Sequence, residues 1–147
     1  MKASATEIKY VEWLNAEVMH NASRSWLSEL MFIKDEQLFF DDLIKSYTLQ
    51  LIDSKYFAKS KKIVERLSHL QKDTSKIIEK VKKHERALNI MLDKIDQLEE
   101  EENYKKEHRN LIILVTEFFQ MNQSIKKQLF KLIKGIIKEK KQKLLLN

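Results

Sequence analysis

The 147-residue chain contains no proline, no cysteine and a single glycine, Gly135. Proline and glycine form many turns and end many helices, so their scarcity leaves few places where the chain can change direction. Charged residues make up 34% of the chain and hydrophobic residues 43%. This composition is typical of long helices and coiled coils, and it predicts an all-α protein.

The absence of cysteine excludes a disulfide framework, thiolate metal sites and thiol catalysis. It fits a reducing compartment, and we expect the cytoplasm. The first thirty residues contain Glu7, Glu12 and Glu17 and no uninterrupted apolar core, so they do not resemble a signal peptide. The longest apolar run, Leu111 to Val115, is far shorter than the roughly 20 residues that span a membrane, so we expect no membrane-spanning helix.

An apolar repeat with alternating steps of four and three residues marks the middle of the chain. Its members are Ile63, Leu67, Leu70, Thr74, Ile77, Val81, His84, Leu88, Met91, Ile95 and Leu98. Such spacing forms the seam of a coiled coil. It predicts one continuous helix from about Ser54 to Glu101, with Asp53 or Ser54 as its N-cap.

A second seam with the same spacing predicts the last helix. Its members are Tyr104, His108, Leu111, Val115, Phe118, Asn122, Ile125, Leu129, Leu132 and Ile136. Both repeats stop at Glu99 to Asn103, where four successive glutamates would repel one another inside a packed helix. We therefore expect the turn there, with antiparallel helices on either side of it.

The first helix has a looser apolar stripe. Its members are Trp26, Leu30, Ile33, Gln37, Phe40, Ile44, Tyr47 and Leu51, extended backward by Trp13, Ala16 and His20. Ser4 and Glu7 have capping-box spacing, which predicts one long helix. Asn21 or Ser23 is an alternative start, which would leave residues 5–20 as a short separate helix. The predicted fold is one domain over residues 1–147, an antiparallel bundle of three long helices, with a fourth short N-terminal helix as the alternative.

Polar seam residues come level with one another in this arrangement. Thr74 falls level with Gln37, and we expect the two side chains to share a hydrogen bond that fixes the register of the helices. His84 falls level with Trp26 and with Asn122. Trp26, His84 and Asn122 therefore form the candidate ligand layer.

Histidine spacing gives little support for a metal site. Glu17 and His20 have the Glu-x-x-His spacing of di-iron bundles, but the second such motif is missing. The sequence also contains no nucleophile elbow and no glycine-rich phosphate loop. We therefore expect no metal, no cofactor and no catalytic residue, with His84 and His108 isolated among apolar neighbours.

Positive charge is concentrated toward the C-terminus. Residues 1–54 carry 5 basic and 9 acidic groups, whereas residues 103–147 carry 11 and 3. The lysines of segments 55–62 and 138–143 should lie at the same end of the bundle. Because few arginines support them, they predict weak polyanion binding without sequence preference.

Part of the first helix resembles the first helix of a group of small, uncharacterised bacterial helical proteins. These share the pattern His, Trp-x-Ser-Glu-Leu-x-Phe, Asp-Glu, and the matching residues here are His20, Trp26, Ser28, Glu29, Leu30, Phe32, Asp35, Glu36 and Phe40. The resemblance implies a helical architecture and a role for this segment beyond packing. It implies no particular activity.

The first and last helices carry more apolar residues than a three-helix core can cover. The candidate partner-binding residues are Phe32, Phe39, Leu43, Phe119 and Phe130. Large apolar patches are uncommon on soluble monomers, so we expect a protein partner or a twofold homodimer. The sequence thus favours a non-enzymatic helical scaffold or protein-interaction module, and the alternative is a ligand- or metal-binding helical bundle.

Overall fold

The computed structural model describes residues 15–92 and 98–146, and these form helices and no strand. The helices are α1 (Ala16–Ser46), α2 (Thr48–Leu51), α3 (Phe57–Leu92) and α4 (Leu98–Leu146). They pack against one another, so the all-α prediction is confirmed. Within these residues, none of the helices combines the length and the apolarity that a membrane span requires. The predicted capping box of Ser4 and Glu7 lies outside the described residues.

Helix α1 begins at Ala16. Asn15 Oδ1 accepts a hydrogen bond from the Val18 amide (2.9 Å), which is the usual contact of an N-cap side chain. The helix then continues without a break through Asn21 and Ser23. The alternative start at these two residues is therefore wrong, because a helix that is already capped upstream gains a backbone hydrogen bond with each residue it adds.

Helix α1 ends at Ser46, before the end of the predicted stripe at Leu51. Ser46 Oγ and Thr48 Oγ1 each donate a hydrogen bond to the carbonyl oxygen four residues earlier (2.9 and 3.1 Å). Such side chains compete with the backbone for the helical carbonyls. Tyr47 accordingly lies in a turn that separates α1 from the single turn of α2.

Asp53 stabilises the connection into α3. Its Oδ1 accepts a hydrogen bond from the Lys55 amide (3.1 Å), and its carbonyl oxygen accepts hydrogen bonds from the Tyr56 and Phe57 amides (both 2.9 Å). Asp53 was one of the two predicted N-caps. The helix itself begins at Phe57, later than the predicted start at Ser54.

The run of glutamates belongs to α4, so the prediction of a turn at Glu99 to Asn103 is wrong. Helix α3 ends at Leu92 and α4 begins at Leu98, which places the glutamates in the first turn of α4. The exposed amides at a helix N-terminus attract negative charge. That attraction, together with solvent exposure, offsets the repulsion among the four carboxylates.

The helices form two compact units, each with a buried apolar core. Among the described residues, unit 1 comprises 15–31, 76–92 and 98–115, and unit 2 comprises 32–75 and 116–146. The described core of unit 1 includes Met19, Leu30, Ile77, Ile78, Val81, Leu88, Tyr104, Leu111 and Val115. The described core of unit 2 includes Ile33, Phe40, Leu51, Ile63, Leu67, Leu70, Phe118, Ile125, Leu129, Leu132, Ile133 and Ile136. A single domain over residues 1–147 stays a prediction.

Gln37 and Thr74 form the predicted polar contact inside unit 2. Gln37 Nε2 donates a hydrogen bond to Thr74 Oγ1 (2.9 Å), and Thr74 Oγ1 donates to the Leu70 carbonyl oxygen (2.7 Å). Both side chains are buried. Nearby, Gln71 Nε2 donates to Asp41 Oδ1 (2.9 Å). The predicted polar layer is confirmed, and it aligns α1 with α3 in this unit.

Candidate functional site

Four rings contact one another in succession within unit 1, and we call them the ring stack: Trp26, His108, His84 and Tyr104. The ring centres of Trp26 and His108 are 5.0 Å apart, and those of His108 and His84 are 5.1 Å apart. The rings of His84 and Tyr104 are nearly parallel, with their centres 4.0 Å apart. Helix α1 supplies the tryptophan, α3 supplies His84, and α4 supplies the other two rings one helical turn apart.

The two histidines of the ring stack bond directly to each other. His84 Nε2 and His108 Nδ1 share a hydrogen bond of 2.9 Å, in which one neutral imidazole donates and the other accepts. The Tyr104 hydroxyl donates to the His84 carbonyl oxygen (3.0 Å). The second nitrogens of the pair, His84 Nδ1 and His108 Nε2, are buried and have no partner among the described residues.

Burial determines the charge of the ring stack. It lowers the pKa of His84 to about 4, together with the neighbouring His108, whose effect is smaller. Burial also lowers the pKa of His108 to about 4. The pKa of Tyr104 is raised by burial and then by the charges of Glu85 and Glu107. All three side chains are therefore uncharged near neutral pH.

The structure brings together two of the three residues of the predicted ligand layer. Trp26 and His84 lie in unit 1, where His108 connects them. Asn122 belongs to unit 2, where it is buried and its Oδ1 has no partner among the described residues. The expectation that His84 and His108 are isolated is wrong, because the two rings share a hydrogen bond.

Sequence reasoning missed His108 and Tyr104 as members of the ring stack. Both were assigned to the seam of the last helix, but the turn was placed too late in the chain. In the structure α4 begins earlier in the chain than predicted, so residues nearer its N-terminus lie level with His84. Two consecutive seam positions with polar rings, Tyr104 and His108, were the available signal.

Glu17 and His20, the two residues with Glu-x-x-His spacing, have different surroundings. His20 Nδ1 contacts Glu85 Oε1 in unit 1, whereas Glu17 is exposed. Within residues 15–92 and 98–146, histidines and carboxylates form no group of three that could hold a metal ion.

The ring stack has little access to solvent. His84 is 1% exposed and His108 is fully buried, so a substrate would reach their nitrogens only after the rings separate. Hydrogen-bonded rings in a core specify which helix faces meet. Burial disfavours the charged imidazole, so both histidine rings stay neutral. This arrangement favours a structural polar layer over a reactive centre.

The candidate partner-binding residues lie in unit 2, and we call them the apolar strip: Phe32, Phe39, Leu43, Phe119 and Phe130. The first three recur at spacings of seven and four residues, which places them on one side of α1. Phe32 is 64% exposed, Phe39 58% and Phe130 42%. Leu43 and Phe119 are half-buried.

Helices α1 and α4 meet beside the apolar strip. Lys126 Nζ donates to Glu36 Oε2 (2.9 Å), and both side chains are mostly buried. The ring of Phe130 packs edge-on against Phe40, with the ring centres 5.6 Å apart. These contacts place the strip residues of both helices along one junction.

No family model matches the chain, and neither a curated protein nor a solved structure is significantly similar to it. The resemblance of the segment from His20 to Phe40 therefore stays an expectation. Function has to be argued from the geometry of the ring stack and the apolar strip.

Proposed function

We propose that the chain is a non-enzymatic, cytoplasmic helical scaffold that binds another protein chain through the apolar strip, most simply a second copy of itself. The exposure of Phe32, Phe39 and Phe130 along one junction carries this proposal. An aromatic side chain buries about 150–250 Å² when it is covered, so three of them supply a large apolar contact. Exposed apolar side chains grouped in this way are typical of protein interfaces.

The directions of the helices in unit 2 fit a three-helix bundle. In unit 2, Gln37 pairs with Thr74 and Asp41 pairs with Gln71, so α1 and α3 run in opposite directions. Glu36 pairs with Lys126, four residues before Phe40 meets Phe130, so α1 and α4 run in the same direction there. We therefore propose that α1, α3 and α4 form the antiparallel three-helix bundle.

Self-association is favoured by the charge of the apolar strip. The ion pair between Glu36 and Lys126 lies beside the strip and neutralises itself. Two copies of the strip can then meet about a twofold axis without this ion pair leaving an uncompensated charge in the contact. The same surface also fits a different chain with an apolar helix face.

A ligand-binding function is the alternative, and the unpartnered nitrogens of His84 and His108 favour it. A ligand with one donor and one acceptor would satisfy both atoms. It would have to separate stacked rings that already contact each other, so we rank this function second.

Light scattering on the full chain at micromolar concentration tests the proposal. We expect a dimer that Phe32→Glu or Phe39→Glu converts to a folded monomer. Each phenylalanine occurs twice in a twofold interface, so a charge at either position should raise the dimer Kd at least about 100-fold. Circular dichroism checks that the variants remain helical.

Leu38→Glu is the matched control. Leu38 lies on the same helix and has the same exposure as Phe32, 64%, but it lies on another side of α1. It should leave the dimer intact. If the unmodified chain is monomeric and binds no protein partner, or if Leu38→Glu dissociates the dimer as strongly as Phe32→Glu, the apolar strip is not an interface.

A further inference from the structure

Unit 2 also contains a cleft between α3 and α4, and we call it the lysine cleft. Lys59, Lys62 and Arg66 line it from α3, and Lys131 and Gly135 line it from α4. Its volume is about 370 Å³, which is within the range of small-molecule sites. None of its lining residues belongs to the apolar strip, although Lys131 directly follows Phe130.

Four cations line the lysine cleft, together with the uncharged Tyr56, Gln128 and Gly135. None of the described residues that line it is acidic. Lys59, Lys62 and Lys131 form no ion pair with other described residues. Arg66 Nη1 donates to the neutral Gln128 Oε1 (2.9 Å) and keeps its full charge. A concave surface lined by charges of one sign concentrates counter-ions.

The acidic residue that follows the cleft on α4 already has polar partners. Glu139 lies one helical turn after Gly135, where it contacts the Tyr56 hydroxyl and accepts a hydrogen bond from Lys55 Nζ (3.1 Å). These contacts hold the pKa of Glu139 below its usual value. Tyr56 also lines the lysine cleft, so Glu139 lies next to the cleft, with its charge paired to Lys55.

The floor of the lysine cleft is apolar and open. Ile63 and Leu132 line it and are buried in the core of the unit. A Cβ atom added at Gly135 would meet nothing within 4 Å, so the missing side chain leaves free space above the floor. The cleft thus offers both charge and apolar contact to one ligand.

We propose that the lysine cleft binds a phosphomonoester that carries an apolar body. A phosphomonoester has close to two negative charges at neutral pH and accepts several hydrogen bonds, which suits three lysines and an arginine better than a single carboxylate does. The apolar body lies over Gly135 and contacts Ile63 and Leu132. Free phosphomonoesters and the head group of phosphatidic acid share this chemistry.

Calorimetric titration of the full chain with hexyl phosphate tests the proposal. We expect saturable binding, with inorganic phosphate and hexanoate each at least about tenfold weaker, because each lacks one of the two recognised features. Lys62→Gln should weaken hexyl phosphate binding at least about tenfold. Lys61→Gln removes the same charge from the neighbouring exposed residue outside the cleft, and it should change the Kd less than about twofold.

The variant Gly135→Leu should abolish ligand binding while the chain stays folded, so it distinguishes a lost site from a lost fold. The leucine fills the space above the floor, and it also raises helix propensity at this position. We expect unchanged helical circular dichroism and no hexyl phosphate binding. Unchanged affinity in this variant, or equal effects of Lys61→Gln and Lys62→Gln, would show diffuse charge attraction and overturn the proposal.

Vesicles distinguish the two sources of the ligand. Phosphatidic acid vesicles present phosphomonoesters, and phosphatidylglycerol vesicles matched in surface charge present phosphodiesters. Preference for phosphatidic acid that Gly135→Leu removes assigns the cleft to the lipid head group, whereas hexyl phosphate binding without that preference assigns it to a free phosphomonoester. Equal binding of both vesicles without hexyl phosphate binding contradicts the proposal.

Discussion

His84 and His108 are neutral in the fold because their burial disfavours the charged imidazole. Each has a pKa of about 4, against 6.5 for an exposed histidine. In the unfolded chain both rings are free to bind a proton below pH 6.5. The ring stack therefore links the stability of the protein to pH.

Acidification should destabilise the protein through these two residues. Between about pH 6.5 and pH 4 the unfolded chain binds more protons than the folded chain, so the free energy of unfolding falls as the pH falls and levels off below about pH 4. We expect a loss of a few kcal/mol, on the order of 3 kcal/mol, between neutral pH and pH 4.5. Urea unfolding at a series of pH values measures it.

Two variants isolate this effect. His84→Leu combined with His108→Leu conserves approximate volume and removes both titrating groups, so the pH dependence in this window should become much flatter. His69→Gln is the control, because His69 is exposed, and it should leave the slope unchanged. An equally steep slope in the double variant would assign the acid sensitivity to other residues.

At the scale of the helices, the hydrogen bond between Gln37 and Thr74 aligns α1 with α3. Thr74→Val removes the acceptor and leaves Gln37 Nε2 buried without a partner, so the free energy of unfolding should fall by about 1–3 kcal/mol. Adding Gln37→Leu removes the orphaned group and should recover most of that loss. Urea unfolding of the single and double variants forms a double-mutant cycle. Simple additivity of the two changes would show that the side chains are not coupled.

The type of each long helix could be predicted from sequence, whereas the boundary between α3 and α4 could not. Heptads identify the buried face, since each step of three or four residues returns to it. They do not distinguish a charged loop from a charged first helical turn, and Glu99 to Glu102 fit both. The position of this boundary determines which residues of α4 lie level with His84. Because the boundary was predicted too late in the chain, His108 was not included in the predicted site.

The predicted register between α1 and α3 did not depend on the boundary between α3 and α4. Gln37 and Thr74 lie on either side of the connection around Asp53, which was placed correctly. The exposure of Phe32 and Phe39 was also accessible to prediction, because an excess of phenylalanine on one helix side is visible without knowing the register. The lysine cleft was not, since it depends on which residues of α3 and α4 meet.

For the whole molecule, the formal net charge is +6, and the excess of basic groups in residues 103–147 is larger than this total because residues 1–54 are net negative. The lysines of segments 55–62 and 138–143 belong to one unit, and the contact of Lys55 with Glu139 joins the two segments. Such a distribution predicts long-range attraction of polyanions. It is non-specific, unlike the contact proposed for the lysine cleft.

Heparin and random-sequence DNA should therefore bind weakly and to a similar extent. We expect the affinity to fall at least about tenfold between about 50 and 200 mM salt, because binding releases counter-ions from the polyanion. Fluorescence anisotropy with labelled DNA measures it. Tight binding that persists above physiological ionic strength, or a preference for one DNA sequence, would reveal a specific nucleic-acid site.

The contact between Trp26 and His108 gives the protein an intrinsic optical reporter. The chain has two tryptophans, Trp13 and Trp26. A protonated imidazole that touches an indole quenches its fluorescence by accepting an electron from the excited ring, and a neutral imidazole does so far less. The brightness of Trp26 thus follows the proton on the ring beside it, while the colour of its emission follows contact with water. With Trp13 replaced by phenylalanine, protonation of the ring stack and its exposure to solvent become two separate signals from one unlabelled side chain.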